Sequence, residues 1–205
     1  MESLKHLSEI CQPDIRHSGF GRLDVESHSG LRRLRLEDFY SVAETIQLHE
    51  GVPETVRNQF QVARNLIVYS WYYYPFNVTA ELCAYIAVEH ALRIKAGKTD
   101  GSSTFRRLLK GAVERGWIRD EGFSHLKRLR ERIRLYNEGL PPEFQLQTTP
   151  QAEEYCKAMT QAMPNLRNAL AHGETYLHHS GAMTVRICAE LANQLFEKPK
   201  AMKSK

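Results

Sequence analysis

The sequence predicts an all-α protein, a helical bundle built on one long antiparallel helix pair and a late helix that carries a functional motif. Three observations predict it. Apolar residues recur at helical spacing along most of the chain, proline and glycine stand where those runs begin and end, and strand-like alternation is scarce. At 205 residues the chain is long enough for one filled core. Its 42% hydrophobic residues, with eight Phe, nine Tyr and two Trp, exclude wholesale disorder.

Residues 1–36 carry scattered Gly, Ser and His without a period and read as an N-terminal arm or cap. Within them Leu31 to Leu36 alternates Leu and Arg, which fits a short strand or a helix entry. Glu37 to Glu50 places Phe39, Val42, Ala43 and Ile46 at helical spacing and ends before Gly51. Pro53, at a favourable first helical position, opens a long helix toward Tyr73 with Val56, Phe60, Ala63, Ile67 and Ser70 along it. Tyr74-Pro75-Phe76 breaks that helix. Asn77 can cap the next one, which runs through Leu82, Ile86 and Leu92 to a stop at Gly97. So short a break makes the two helices an antiparallel hairpin.

Beyond a polar turn, Thr104 to Gly116 reads as a shorter basic helix and Asp120 to Asn137 as another. In the latter, Leu126, Leu129, Ile133 and Tyr136 form an apolar stripe, and Lys127, Arg128, Arg130, Arg132 and Arg134 read as its solvated face. Gly139 to Pro150 is a loop. Gln151 to Met163 is helical, Pro164 kinks it or starts a new segment, and Gly173 is the stop after His172. A last helix spans about Met183 to Glu197. The chain thus divides into an arm or cap (1–36), a helical domain (37–198) and a basic tail (199–205).

The net charge of +4 fits an anionic partner such as RNA without requiring one. Cys11, Cys83, Cys156 and Cys188 are far apart and form no C-x-x-C pair. With no secretory leader and no apolar run long enough to cross a bilayer, a reduced cytoplasmic protein without a membrane partner is expected. His178-His179 matches no zinc-ligand spacing, so neither metal nor cofactor is expected. Glu89 and Arg93, four apart, read first as an ordinary surface ion pair, with a supporting role near the motif described below as the alternative. Tyr69, Trp71, Tyr72, Tyr73 and Tyr74 read as core or interface packing rather than a base-stacking platform.

One segment carries chemistry. Arg-x(4–6)-His is a weak pattern by itself, since Arg22 to His28 and Arg119 to His125 satisfy it too. Arg167 to His172 differs in context: Asn168 follows the Arg, Ala169, Leu170 and Ala171 are small or apolar, and Gly173 follows the His. Cutting RNA without metal needs a base for the 2′-hydroxyl, an acid for the leaving 5′-oxygen and positive charge on the phosphorane. Histidine titrates near neutrality and serves either proton role. Arginine presents a permanently charged fork to phosphate oxygens. On a helix, Asn168 and His172 share a face, so Asn168 can orient the imidazole. Arg167 points roughly 140° away at helical periodicity and must curl back or act across an interface. A single motif also supplies only one His, and a two-fold dimer would answer both difficulties.

The phrase Leu166-Arg167-Asn168-Ala169-Leu170-Ala171-His172-Gly173-Glu174 resembles the R-N-x-x-x-H motif of the HEPN superfamily (higher eukaryote and prokaryote nucleotide-binding domains), in that family's late helical position. Ala63-Arg64-Asn65-Leu66-Ile67-Val68-Tyr69 through Ala91-Leu92-Arg93 looks like the paired long helices of some members. Together the resemblance covers roughly residues 53–197. It implies a homodimeric, metal-independent endoribonuclease, with toxin and defence proteins among its relatives and a regulatory or antitoxin protein as a further partner. Other members are non-catalytic modules that bind RNA, nucleotide or protein. The implied catalytic residues are Arg167, Asn168 and His172. Some toxin members carry Tyr two residues after the His. This chain has Glu174 there and its tyrosine at Tyr176, which makes both candidates for the substrate-binding rim.

Overall fold

The structure, a computed structural model, describes residues 4–23, 30–98, 101–147, 154–174 and 178–197. It is all-α. Among the described residues the helices are α1 (Leu36–Glu44), α2 (Glu54–Tyr69), α3 (Phe76–Ala96), α4 (Phe105–Glu114), α5 (Ser124–Asn137), α6 (Tyr155–Ala171) and α7 (Gly181–Leu195). A two-stranded antiparallel ribbon, β1 (Gly21–Leu23) and β2 (Leu31–Arg33), precedes them. None of these helices is long and apolar enough to cross a membrane.

Helix α3 is the axis of the bundle, packed against α2, α4, α6 and α7. Its buried positions, among them Ala80, Ala84, Ala87, Val88 and Ala91, are small enough for neighbours to approach from several sides. The hairpin of α2 and α3 is antiparallel as the short break requires, with His90 Nδ1 donating to Gln59 Oε1 across it at 3.1 Å. Phe60 and Ile67 of α2, Leu92 of α3, Leu109 of α4 and Leu191 and Leu195 of α7 fill the core. Helices α3 and α7 meet closely at their first turns, where a Cβ on Gly181 would stand 2.9 Å from the Asn77 carbonyl oxygen. Backbone cannot yield as a flexible side chain can. Gly181→Ala is therefore expected to cost about 1–3 kcal/mol, read as a lower thermal midpoint; an unchanged midpoint would contradict this contact.

Several boundaries differ from the periodicity, each for a tertiary or capping reason. Helix α1 stops at Glu44 rather than Glu50, because Asn193 of α7 takes over the following backbone: its amide donates to the Gln47 carbonyl and accepts from the His49 N–H, both at 2.9 Å. Pro53 precedes α2 instead of opening it. Asn77 lies inside α3, its amide donating to the Tyr74 carbonyl at 3.2 Å. Thr104, read as the first residue of the basic helix, is its N-cap, accepting from the Arg107 N–H. Pro164 neither ends nor splits α6, which runs through it as one helix. The apolar stripe of α5 is covered most fully at its start: Leu126 is buried, Leu129 and Ile133 are half-buried, and Tyr136 is exposed. The Lys-rich tail lies outside the described residues.

The N-terminal segment is anchored. Asp14 accepts the Tyr74 N–H at 2.9 Å, the Asp14 N–H donates to the Trp71 carbonyl, and Arg16 pairs with the Asp14 carboxylate. Burial opposes ionisation of Asp14, but Arg16 and the two backbone N–H groups of Tyr74 and Arg16 outweigh it and hold its pKa at about 2. In the ribbon, Arg22 stands opposite Arg32, and both turn onto Asp38 of α1. Asp38 also accepts the Arg35 N–H at 2.9 Å, and the Arg35 carbonyl accepts the Asp38 N–H at 3.0 Å in return. Arg32 above all keeps its carboxyl far below the usual range.

Candidate functional site

The motif occupies the last turns of α6 and the turn that closes it. Arg167, Asn168, Ala169, Leu170 and Ala171 are helical, and His172 is the C-terminal cap. Gly173, at φ +88°, adopts the left-handed conformation a closing glycine supplies. Its N–H donates to the Leu170 carbonyl and the Glu174 N–H to the Ala169 carbonyl, the paired bonds of a Schellman motif. Asn168, Ala171, His172, Gly173 and Glu174 are all exposed. Tyr176 lies outside the described residues.

Arg167 does not face water freely. Its Nη2 donates to Glu89 Oε2 of α3 at 2.9 Å, and its Nη1 donates to Asn168 Oδ1 at 3.2 Å. The other oxygen of Glu89 accepts from Arg93 Nη2 at 2.8 Å. One carboxylate is thus shared by two guanidinium groups, leaving one positive charge in excess at a cluster where the Glu89 side chain is only 12% exposed. Arg93 Nη1 and Arg167 Nε are buried N–H donors without a hydrogen-bond partner among the described residues. Excess charge and unpaired donors together suit an anionic oxygen.

This arrangement departs from the sequence reading in two respects. Glu89 and Arg93 do pair, but not as a surface pair: they are the footing of Arg167. Glu89 is the residue that sequence reasoning undervalued, since spacing reveals its i+4 partner and not the third member arriving from α6. Asn168 shares a helical face with His172, whose N–H donates to the Asn168 carbonyl at 2.9 Å. The Asn168 side chain nevertheless turns to Arg167, and the His172 imidazole has no hydrogen bond to any described residue. The structure brings Arg167 and Asn168 together, with His172 four residues beyond Asn168.

The remaining candidates scatter. Arg64, within the softer resemblance, binds the Ala43 carbonyl and Gln61. Trp71 stacks on His17 with ring centroids 5.3 Å apart, so that part of the aromatic run is packing. His178 stands 3.2 Å from Glu81 Oε1, and His179 packs against Phe20. Glu81 is 4% exposed at the α3–α7 contact; burial raises its pKa to about 7, against a hydrogen bond from Thr184 that favours the carboxylate. Burial likewise pushes the Cys156 and Cys188 thiols up, so neither is an activated nucleophile.

Set against family models, curated proteins and solved structures, the chain matches none of them.

Proposed function

We propose that the protein is a metal-independent endoribonuclease of the HEPN type, cleaving RNA at a site built from two copies of the chain. The observation that carries this reading is the clamp on Arg167: Glu89 and Asn168 fix a guanidinium that retains excess positive charge on the exposed end of the helix bearing His172. In the reaction the 2′-oxygen bonds to phosphorus as its proton passes to a base. The P–O5′ bond breaks as an acid protonates the leaving oxygen. His172 supplies one of these proton transfers and Arg167 stabilises the phosphorane. Each chain brings a single motif histidine, so the second proton-transfer group comes from the partner copy. Helix α5 adds attraction for a polyanion, with five basic residues against one acidic residue along Ser124–Asn137.

A second reading has an observation of its own. Arg167 is already engaged by two protein groups, and Asn168 does not orient His172. That geometry fits a non-catalytic module that binds RNA, nucleotide or a protein partner.

Cleavage of a mixed-sequence RNA by the purified protein in EDTA separates the two. Cleavage that persists without divalent metal, and rises per protomer as dilution is reversed, is the expected result. Strict metal dependence would remove the mechanism, and RNA retention without cleavage would establish the binding module.

A further inference from the structure

Between the N-terminal segment and the α2–α3 turn lies a cavity of about 320 Å³, within the range of small-molecule sites. Its walls are largely aromatic and aliphatic, with Phe20, Phe39, Tyr74, Val42, Ile67 and Ala182 among them. No described residue of α6 lines it, so it is separate from the Arg167 cluster.

Of its polar groups His17, Asn77 and Asp38 are buried, whereas Arg22 and His179 are exposed. His17 is 6% exposed, and its Nε2 lies 2.9 Å from the Ser70 carbonyl oxygen. A carbonyl only accepts, so Nε2 carries a proton, and in the neutral imidazole Nδ1 is then a lone-pair acceptor. Nδ1 has no hydrogen-bond partner among the described residues. The ring is held rigidly, stacked on Trp71 and edge-on to Phe39 at 4.9 Å. Asn77 is 5% exposed; its amide nitrogen is spent on the Tyr74 carbonyl, and Oδ1 is a second acceptor with no partner among the described residues. Asp38, by contrast, is saturated by Arg22, Arg32 and the Arg35 N–H and offers no free charge.

We propose that this cavity binds a compact, neutral heteroaromatic molecule carrying an N–H donor, of about the size of indole or benzimidazole. The aromatic rings of Phe20, Phe39 and Tyr74 on the lining favour a planar ring. Two buried acceptors reward a donor, which the oxygens of an anion do not offer them. Neutralisation of Asp38 removes the counter-charge a cation would need, and Arg22 on the lining repels one.

The test is calorimetric titration and thermal melting of the full chain with indole and benzimidazole, and with the isosteres indene and benzofuran, which lack the N–H. The N–H compounds should bind saturably and raise the melting midpoint, and the isosteres should bind about tenfold or more weakly because buried acceptors are left unpaired. Val42→Phe and Ala182→Leu each fill the cavity; whichever retains a cooperative melt should lose binding. The proposal is overturned if none of the four compounds binds, if the isosteres bind as well as their N–H counterparts, or if a folded cavity-filling variant still binds.

Discussion

His172→Ala is expected to lower RNA cleavage in EDTA by about 10²–10⁴-fold, the span typical of one proton-transfer group, while leaving the thermal midpoint in place. The structural half of this expectation follows from the position of His172. Its side chain is exposed at the end of α6, and its backbone bonds, not its imidazole, close the helix. Alanine keeps those backbone bonds. Glu89→Gln is the contrasting variant, because it removes the charge that two arginines share without changing the shape of the side chain. It should cost about 1.5–3 kcal/mol, as for hydrogen bonds to charged groups, and should also weaken cleavage by loosening Arg167. Melting curves and cleavage rates on the same preparations distinguish a lost catalyst from a lost footing. Full activity in a folded His172→Ala protein would end the ribonuclease assignment at this motif.

Glu81→Gln is expected to stabilise the protein above neutral pH and to change little in acid. Burial lifts the folded-state pKa of Glu81 to about 7 from an ordinary 4.5. Between those values the folded protein keeps a proton that the unfolded chain has released, so stability falls as pH rises through that window. The loss is complete above the folded pKa and amounts to about 3 kcal/mol, at 1.36 kcal/mol per unit. Groups facing Glu81 are the Thr184 hydroxyl, the Tyr85 phenol, the Cys188 thiol and His178. Of these His178 is the ion-pair partner, with Nε2 3.2 Å from Glu81 Oε1. Subtracting the variant's stability curve from the wild type's isolates Glu81, and a Glu81→Gln/His178→Ala pair tests the remaining coupling. Parallel curves for wild type and Glu81→Gln from about pH 4 to pH 8 would contradict this account.

The candidate site was half legible. Arg167, Asn168, His172 and Gly173 are contiguous, and local chemistry is enough to place them at a helix end: glycine takes the left-handed turn, and the preceding small residues continue the helix. Glu89 is 78 positions away from Arg167, and nothing local distinguishes its pair with Arg93 from an ordinary surface pair. The same holds for Asp38. In sequence it is one acidic residue near a helix start, and in the structure it neutralises two arginines from a ribbon that scattered Gly and Ser do not announce.

By itself the sequence determined the all-α class, the antiparallel hairpin of α2 and α3, the stop at Gly97 and the helix-terminal position of the motif. These depend on periodicity, capping and chain connectivity, which act over a few residues. Only the tertiary structure decided where α1 ends, since Asn193 from the far end of the chain supplies the bonds that replace the helix. It alone decided which polar residues are buried, because Glu81, Asn77 and His17 lose water to neighbours distant in sequence. It alone turned Arg167 inward onto Glu89. A long flexible side chain takes the best charge within reach, and what lies within reach is fixed by how α6 crosses α3.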